Sequence, residues 1–158
     1  MKNICISDAL KLGMAAHQKE NFKEADKYYT AILRVLPDHP DANHNMGLLA
    51  INYGQTKAAL NFIRKAINAN KNIFQFHKSY IKALISLDMI TEARFALEEA
   101  RTIFVAEEET RQLSYLADKI KDKFSEIEGR NSLLGALNLL ECGRFTDAIN
   151  ILEKNQDK

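Results

Sequence analysis

Ala25 and Tyr29, Ala59 and Ile63, and Ala93 and Leu97 are one pair three times over: an alanine with a large apolar or aromatic side chain four positions later, returning at an interval of thirty-four. A fixed period of this length restricts the chain more than its composition does. Each copy has to be the same supersecondary unit, unable to bury its apolar face alone and stacked on its neighbour. Thirteen and twelve positions ahead of the alanines stand Leu12-Gly13, Met46-Gly47 and Tyr80-Ile81, followed by Ala16, Ala50 and Leu84. The spacing predicts two helices per unit. The small residues lie where two backbones approach closely, and the large residue fills the next turn of the same face.

The rest of the sequence agrees with an all-α chain. Both prolines, Pro37 and Pro40, fall before position 41, only six glycines occur, and Ala, Leu, Lys and Glu are common throughout. No sustained alternation of apolar and polar residues appears, and no Asn-Gly or Asp-Gly hairpin turn. Turns inside the units read KENF (19 to 22), NYGQT (52 to 56) and SLDMI (86 to 90), of which only the second carries a glycine, Gly54. Pro37 ends one unit, and Pro40, with its fixed φ, suits the first turn of the next, where Asp41 adds a favourable charge. Later joints have no proline.

A fourth unit is expected at 131–155, with Gly135-Ala136 and Leu139 ahead of a turn CGRF and Ala148 paired with Leu152. It comes twenty-one positions late. The excess is assigned to an inserted amphipathic helix at 107–128, with Leu113, Leu116, Ile120, Phe124 and Ile127 on one face. Its opening Glu107-Glu108-Glu109 reads as a solvated first turn favoured by the helix dipole.

A formal charge of +1, from 22 basic and 21 acidic residues, gives no global attraction to nucleic acid or an anionic membrane. No apolar run approaches the roughly 20 residues that span a bilayer, and the N-terminus lacks a signal-peptide pattern. Cys5 and Cys142 have no metal-like spacing and point to a reduced cytoplasm, a bridge between them being the minor alternative. No phosphate-binding glycine loop, zinc pattern or nucleophile motif occurs, so neither an enzymatic activity nor a metal or cofactor is expected. Asp38-His39 and the Asp41/His44 pair place acid near base, but in a joint and on a helix face, which does not make a catalytic centre.

These three in-phase copies resemble the tetratricopeptide repeat, in its bacterial type. The resemblance covers residues 7 to 104 in units of about 7–37, 41–70 and 75–104, and 131 to 155 more loosely. It implies antiparallel helix hairpins stacked in a right-handed superhelix, in a single domain over 1–158, with the first helix of every unit lining a concave groove. The groove implied by phase carries Lys11, Met14 and His17 from the first unit. The second unit gives His44, Asn45, Leu48, Ile51 and Asn52, and the third gives Lys78 and Lys82. Lysines favour acidic ligands, amides satisfy a peptide backbone and apolar side chains supply contact area. The resemblance thus implies a non-catalytic scaffold or adaptor that binds an acidic peptide or protein segment.

Relatives that clamp the C-terminal carboxylate of heat-shock chaperones use Lys and Asn on the first helix, Asn on the third, and Lys plus Arg on the fifth. Phase puts Leu10, Met14, Asn45, Gln75 and Ser79 at those positions, and only Asn45 matches. Three alternatives stand beside the adaptor: the N-terminal array of a glycosyltransferase, sulfotransferase or methyltransferase; a chaperone of the type III secretion kind; and an array that dimerises through its C-terminal helices. RNA readers need a basic groove and a side-chain pair recurring at the period, and neither is present.

Overall fold

The computed structural model describes residues 4–141 and 145–154. It divides into two compact units, Met1–Ala117 and Asp118–Lys158. The described residues form α1 (Ile6–Gln18), α2 (Phe22–Val35), α3 (Pro40–Asn52), α4 (Thr56–Ala69), α5 (Phe74–Ser86), α6 (Ile90–Ile103), α7 (Glu107–Glu141) and α8 (Phe145–Glu153). Among them there is no strand, and no helix is long and apolar enough to cross a membrane. The fold is all-α, made of helix hairpins. Helices α1 to α6 pack in sequence, and α1 also touches α3 as α3 touches α5.

Within each of the first three hairpins the crossing alanine is sealed: Ala25, Ala59 and Ala93 are all 0% exposed. Opposite them, a Cβ on Gly13 would sit 2.7 Å from Cε1 of Tyr29, and one on Gly47 would sit 2.6 Å from Cγ1 of Ile63. Both distances lie well inside van der Waals contact, so in two hairpins glycine lets the backbones close around a large side chain. The third hairpin has Ile81 at this position, fully buried, with Leu97 as the large residue. Tightness of fit has a consequence at Tyr29, whose hydroxyl is buried without a hydrogen-bond partner, and burial pushes its pKa up to about 12.

The hairpin turns repeat more faithfully than their residues do. Glu20 (φ 57°), Gly54 (φ 73°) and Asp88 (φ 57°) all adopt left-handed backbone, one repeat period apart. Each is followed by an N–H that reaches back five positions: Asn21 to Ala16, Gln55 to Ala50 and Met89 to Leu84, at 2.8–3.0 Å. This closure satisfies carbonyls that the end of a helix would otherwise leave open. The glycine anticipated for only one turn is therefore absent from two turns of the same geometry.

The joints between hairpins also share one device. Buried Asn43 donates from Nδ2 to the Pro37 carbonyl at 2.8 Å, and buried His77 donates from Nε2 to the Lys71 carbonyl at 2.9 Å. The two donors are one period apart, and so are the two acceptors. The second joint thus holds the same bond without a proline. At the first, Pro40 opens α3 and His39 Nδ1 accepts the Ala42 N–H at 3.3 Å as a cap.

The sequence pattern leads one to expect a helix at 107–128 and a separate hairpin from 131. Instead α7 is one helix of 35 residues, against 13 in each of α1, α3 and α5. A single Gly129 costs only about 1 kcal/mol relative to alanine, no proline follows position 40, and Glu126 pairs with Lys123 at 3.0 Å and Arg130 at 3.6 Å. Nothing there ends the helix. Moreover, α7 starts at 107, within one position of the place the period assigns to a fourth first helix. The twenty-one extra positions lengthen that helix rather than precede it. Leu113, Leu116 and Ile120 are buried as the apolar stripe requires, while Phe124 is exposed. In the second unit Ala136 and Ala148 are buried, but a Cβ on Gly135 would meet nothing within 4 Å. Gly135 is therefore not a close-approach glycine. The CGRF turn lies mostly outside the described residues, as do Cys142 and the side chain of Leu139; Cys5 is a free thiol.

First helices are tied to one another by two side-chain rungs, each joining positions 35 apart. Asn52 Nδ2 lies 2.8 Å from His17 Nε2, and His44 Nε2 lies 3.0 Å from Ser79 Oγ. The second rung is buried, with the His44 ring 4.7 Å from that of Phe76. Burial pushes the His44 pKa down to about 4, against a smaller opposing pull from Asp41.

This packing makes the turns, one crossing and one rung testable. Glu20→Gly and Asp88→Gly should each stabilise the chain by about 0.5–1 kcal/mol in urea unfolding, because left-handed backbone disfavours a Cβ. Equal or lower stability would contradict the turn geometry. Gly47→Ala should cost about 1–2 kcal/mol net of its helix propensity, and become neutral or favourable in an Ile63→Ala background; an unchanged cost there would rule out the clash. Finally, the unfolded chain protonates His44 below its ordinary pKa of 6.5 whereas the folded chain holds it neutral to about 4. The stabilisation is complete above pH 6.5 and is lost as pH falls through that window, by about 2–3 kcal/mol. Urea midpoints should fall more steeply between pH 6.5 and 4.5 for the native chain than for His44→Gln, and parallel curves would remove His44 from the explanation.

Candidate functional site

The surface anticipated from phase divides into side chains that the fold uses and side chains that it leaves available. His17 and Asn52 are spent on the first rung, and His44, 6% exposed, on the second. His44 is therefore corrected from a ligand-facing residue to a packing one. Ile51 packs against the core of the second hairpin, and Leu48 is half-buried. Among the remaining expected residues, Lys11 approaches Asp8 at 3.9 Å with both side chains exposed, a contact of little energetic weight. Met14 is exposed and Asn45 half-buried.

Lys78 and Lys82 are brought into one place. They stand one turn apart on α5 and face Arg111, Gln112, Tyr115 and Leu116 from the opening turns of α7 across a cleft of about 270 Å³. Leu116 is buried and gives the cleft an apolar floor, while Tyr115 is 58% exposed at its edge. Among the described residues neither lysine has an ion-pair partner. Arg111 is held by its own helix, 3.2 Å from Glu108 and 3.7 Å from Glu107. Glu108 also accepts from Gln112 Nε2 at 2.8 Å, while Gln112 Oε1 is buried without a partner. Two lysines without an ion-pair partner among the described residues and an arginine paired within its own helix thus border a cleft with an apolar floor.

Phase alone identifies two of these six residues. Arg111 and Tyr115 escape it because the apolar pattern of their helix reads as an insertion outside the repeats. Continuing the period is the signal that finds the place: Gln112 and Leu116 stand one full period after Lys78 and Lys82. The opening turns of α7 stand where the period puts a fourth first helix. The acidic run of α7 is solvated, with Glu107 and Glu108 in exposed pairs with Arg111 that carry little energetic weight.

Comparison with known proteins bears on the first two hairpins and on the fold. The tetratricopeptide repeat family model matches residues 9–39 and 40–73. No curated protein sequence matches the chain at a significant level. Among solved structures, the chain is similar to the TPR2B domain of yeast Sti1, solved as a complex with pHsp70. That likeness has a TM-score of 0.68 and 20% identity, and it covers 75% of this chain and 97% of that one. It is similar to the first TPR domain of Spaghetti (RPAP3), bound to the HSP90 peptide SRMEEVD, with a TM-score of 0.61 and 18% identity over 77% of this chain and 99% of that one. A third likeness is to O-GlcNAc transferase of Thermobaculum terrenum, at a TM-score of 0.57 and 19% identity, covering 62% of this chain but only 19% of the transferase. Residues 9–73 thus carry two repeats of the tetratricopeptide family, and the third hairpin is built to the same period.

Proposed function

We propose that the protein is a non-catalytic interaction module that binds an acidic peptide or protein segment at the cleft between α5 and α7. The observation that carries this reading is the convergence of Lys78, Lys82 and Arg111 on one apolar-floored cleft, with both lysines lacking an ion-pair partner among the described residues. A carboxylate entering there relieves the mutual repulsion of the cations, and an adjacent apolar side chain covers Leu116 and Tyr115. The yeast domain was solved in a complex with pHsp70 and the RPAP3 domain with an HSP90 peptide, which supports peptide binding in general. The chaperone carboxylate clamp is not part of this reading, because Leu10, Met14, Gln75 and Ser79 stand at four of its five positions. Asn45, Met14 and Lys11 extend the surface along the first helices as secondary contacts.

A second reading concerns the C-terminal helices. Leu133, Leu134, Leu137 and Leu140 of α7 and Ile149 and Leu152 of α8 are each 37–59% exposed. No charged residue occurs from 131 to 140, and apolar surface of this kind favours self-association. Sedimentation should then show a mass that rises with concentration, and a constant monomer mass would eliminate the dimer.

The groove reading is tested by fluorescence anisotropy with a labelled peptide alternating Glu and Leu, against the same peptide with Gln for Glu. The native chain should prefer the Glu peptide. Lys78→Glu/Lys82→Glu should weaken it by about tenfold or more, equivalent to roughly 1.4 kcal/mol, and Arg111→Gln by less. Added salt should weaken binding as well. Unchanged affinity in the double variant, with helicity retained, would refute the assignment.

A further inference from the structure

A second cleft lies away from the lysines, between α4 and α6, and its chemistry is opposite in sign. It measures about 360 Å³ and is lined by Arg64 and Ile67 of α4, Tyr80 of α5, and Glu92, Phe95 and Glu99 of α6 among others. Phe95 is 74% exposed, which leaves most of its ring open to a partner. Glu92, Phe95 and Glu99 occur at i, i+3 and i+7, so all three share one face of α6, with the ring between the two carboxylates.

Charge in this cleft is unevenly engaged. Arg64 donates to the Tyr80 hydroxyl at 2.7 Å, and its guanidinium lies 5.7 Å from the centroid of the same ring. His77 is committed to the Lys71 carbonyl. A third carboxylate of α6, Glu98, is paired with Arg101 at 2.8 Å. Glu92 and Glu99 have no ion-pair partner among the described residues, and Arg64 contacts only a neutral ring and its hydroxyl. The two carboxylates therefore outnumber the one arginine; they stand about 10 Å apart along the helix and flank an exposed aromatic ring.

We propose that this cleft is a second docking surface, for a partner segment that carries an apolar side chain between two basic ones. A helix with basic residues at i and i+7 and leucines between them places an ammonium at each carboxylate and an aliphatic group against Phe95 and Ile67. This surface is independent of the acidic-ligand cleft, since none of its residues lines that cleft. Together the two surfaces give the chain opposite preferences at two sites, as an adaptor holding two partners requires.

The test uses the full chain and two labelled helical 16-residue peptides: one with Lys at i and i+7 and Leu at i+3 and i+4, the other with Glu in place of Lys. The chain should bind the Lys peptide and not the Glu peptide at this cleft, read in a Lys78→Gln/Lys82→Gln background, where the other cleft loses its lysine charge without becoming acidic. That background should leave Lys-peptide affinity at its native value, which separates the two sites. Phe95→Ala should weaken Lys-peptide binding about tenfold or more, and Glu92→Lys/Glu99→Lys should reverse the preference between peptides. All four side chains changed in the double variants are charged and solvent-facing or half-buried, and circular dichroism checks that helicity is kept. Equal binding of the two peptides in that background, Lys-peptide binding that survives Glu92→Lys/Glu99→Lys, or no binding at about 1 mM would each overturn the proposal. So would a dimer in sedimentation that Phe95→Ala converts to monomer, because the surface would then belong to a second copy.

Discussion

Two helix backbones can cross closely only where their side chains are small, and every other feature of the first unit depends on meeting that condition at a fixed interval. Ala25, Ala59 and Ala93 are completely excluded from solvent, and Gly13 and Gly47 leave room for Tyr29 and Ile63. Once the crossing is set, helix lengths and turn geometry follow. The chain has to reverse after 13 residues, which it does through a left-handed residue whether or not that residue is glycine. The strain at Glu20 and Asp88 is tolerated because the hydrogen bonds closing the turns and the packing of the hairpin outweigh it.

Stacking then determines which polar side chains remain available. Groove-facing residues at the same phase come close to residues of the neighbouring first helix, and where they are complementary they bond to each other. His17 with Asn52 and His44 with Ser79 do so. Lys78 and Lys82, which have Gln112 and Leu116 one period on, form no such bond. Lys78, Lys82 and Arg111 therefore surround a cleft instead of closing it. The proposed ligand surfaces are what stacking leaves unpaired, and the same reasoning singles out Glu92 and Glu99 around Phe95.

Much of this is legible in the amino-acid sequence alone. The period locates the hairpins, their crossing residues and the first joint, since close approach is written directly into residue size. What is not legible depends on backbone conformation or on partners remote in sequence. Left-handed φ at Glu20 and Asp88 has no glycine to announce it. Asn43 and His77 share no residue type, yet each donates to the carbonyl of its joint from the same place in the repeat. His44 carries a polar ring at an amphipathic position, and only the ring of Phe76 and the hydroxyl of Ser79 turn it inward. The length of α7 is hidden because the hairpin pattern restarts at 131, although the one glycine before it, Gly129, without a cap or a proline costs too little to end a helix. Reading 107–128 as an insertion also hides Arg111 and Tyr115.

The proposed function rests on α7 continuing the series of first helices and bordering a cleft with α5. Backbone amide resonances of the native chain, followed during titration with the alternating Glu–Leu peptide, test this most directly. Shifts concentrated at Lys78, Lys82 and residues 111–116, with Glu92–Glu99 undisturbed, are the predicted result. Shifts confined to α1 and α3, or absent from the start of α7, would contradict it.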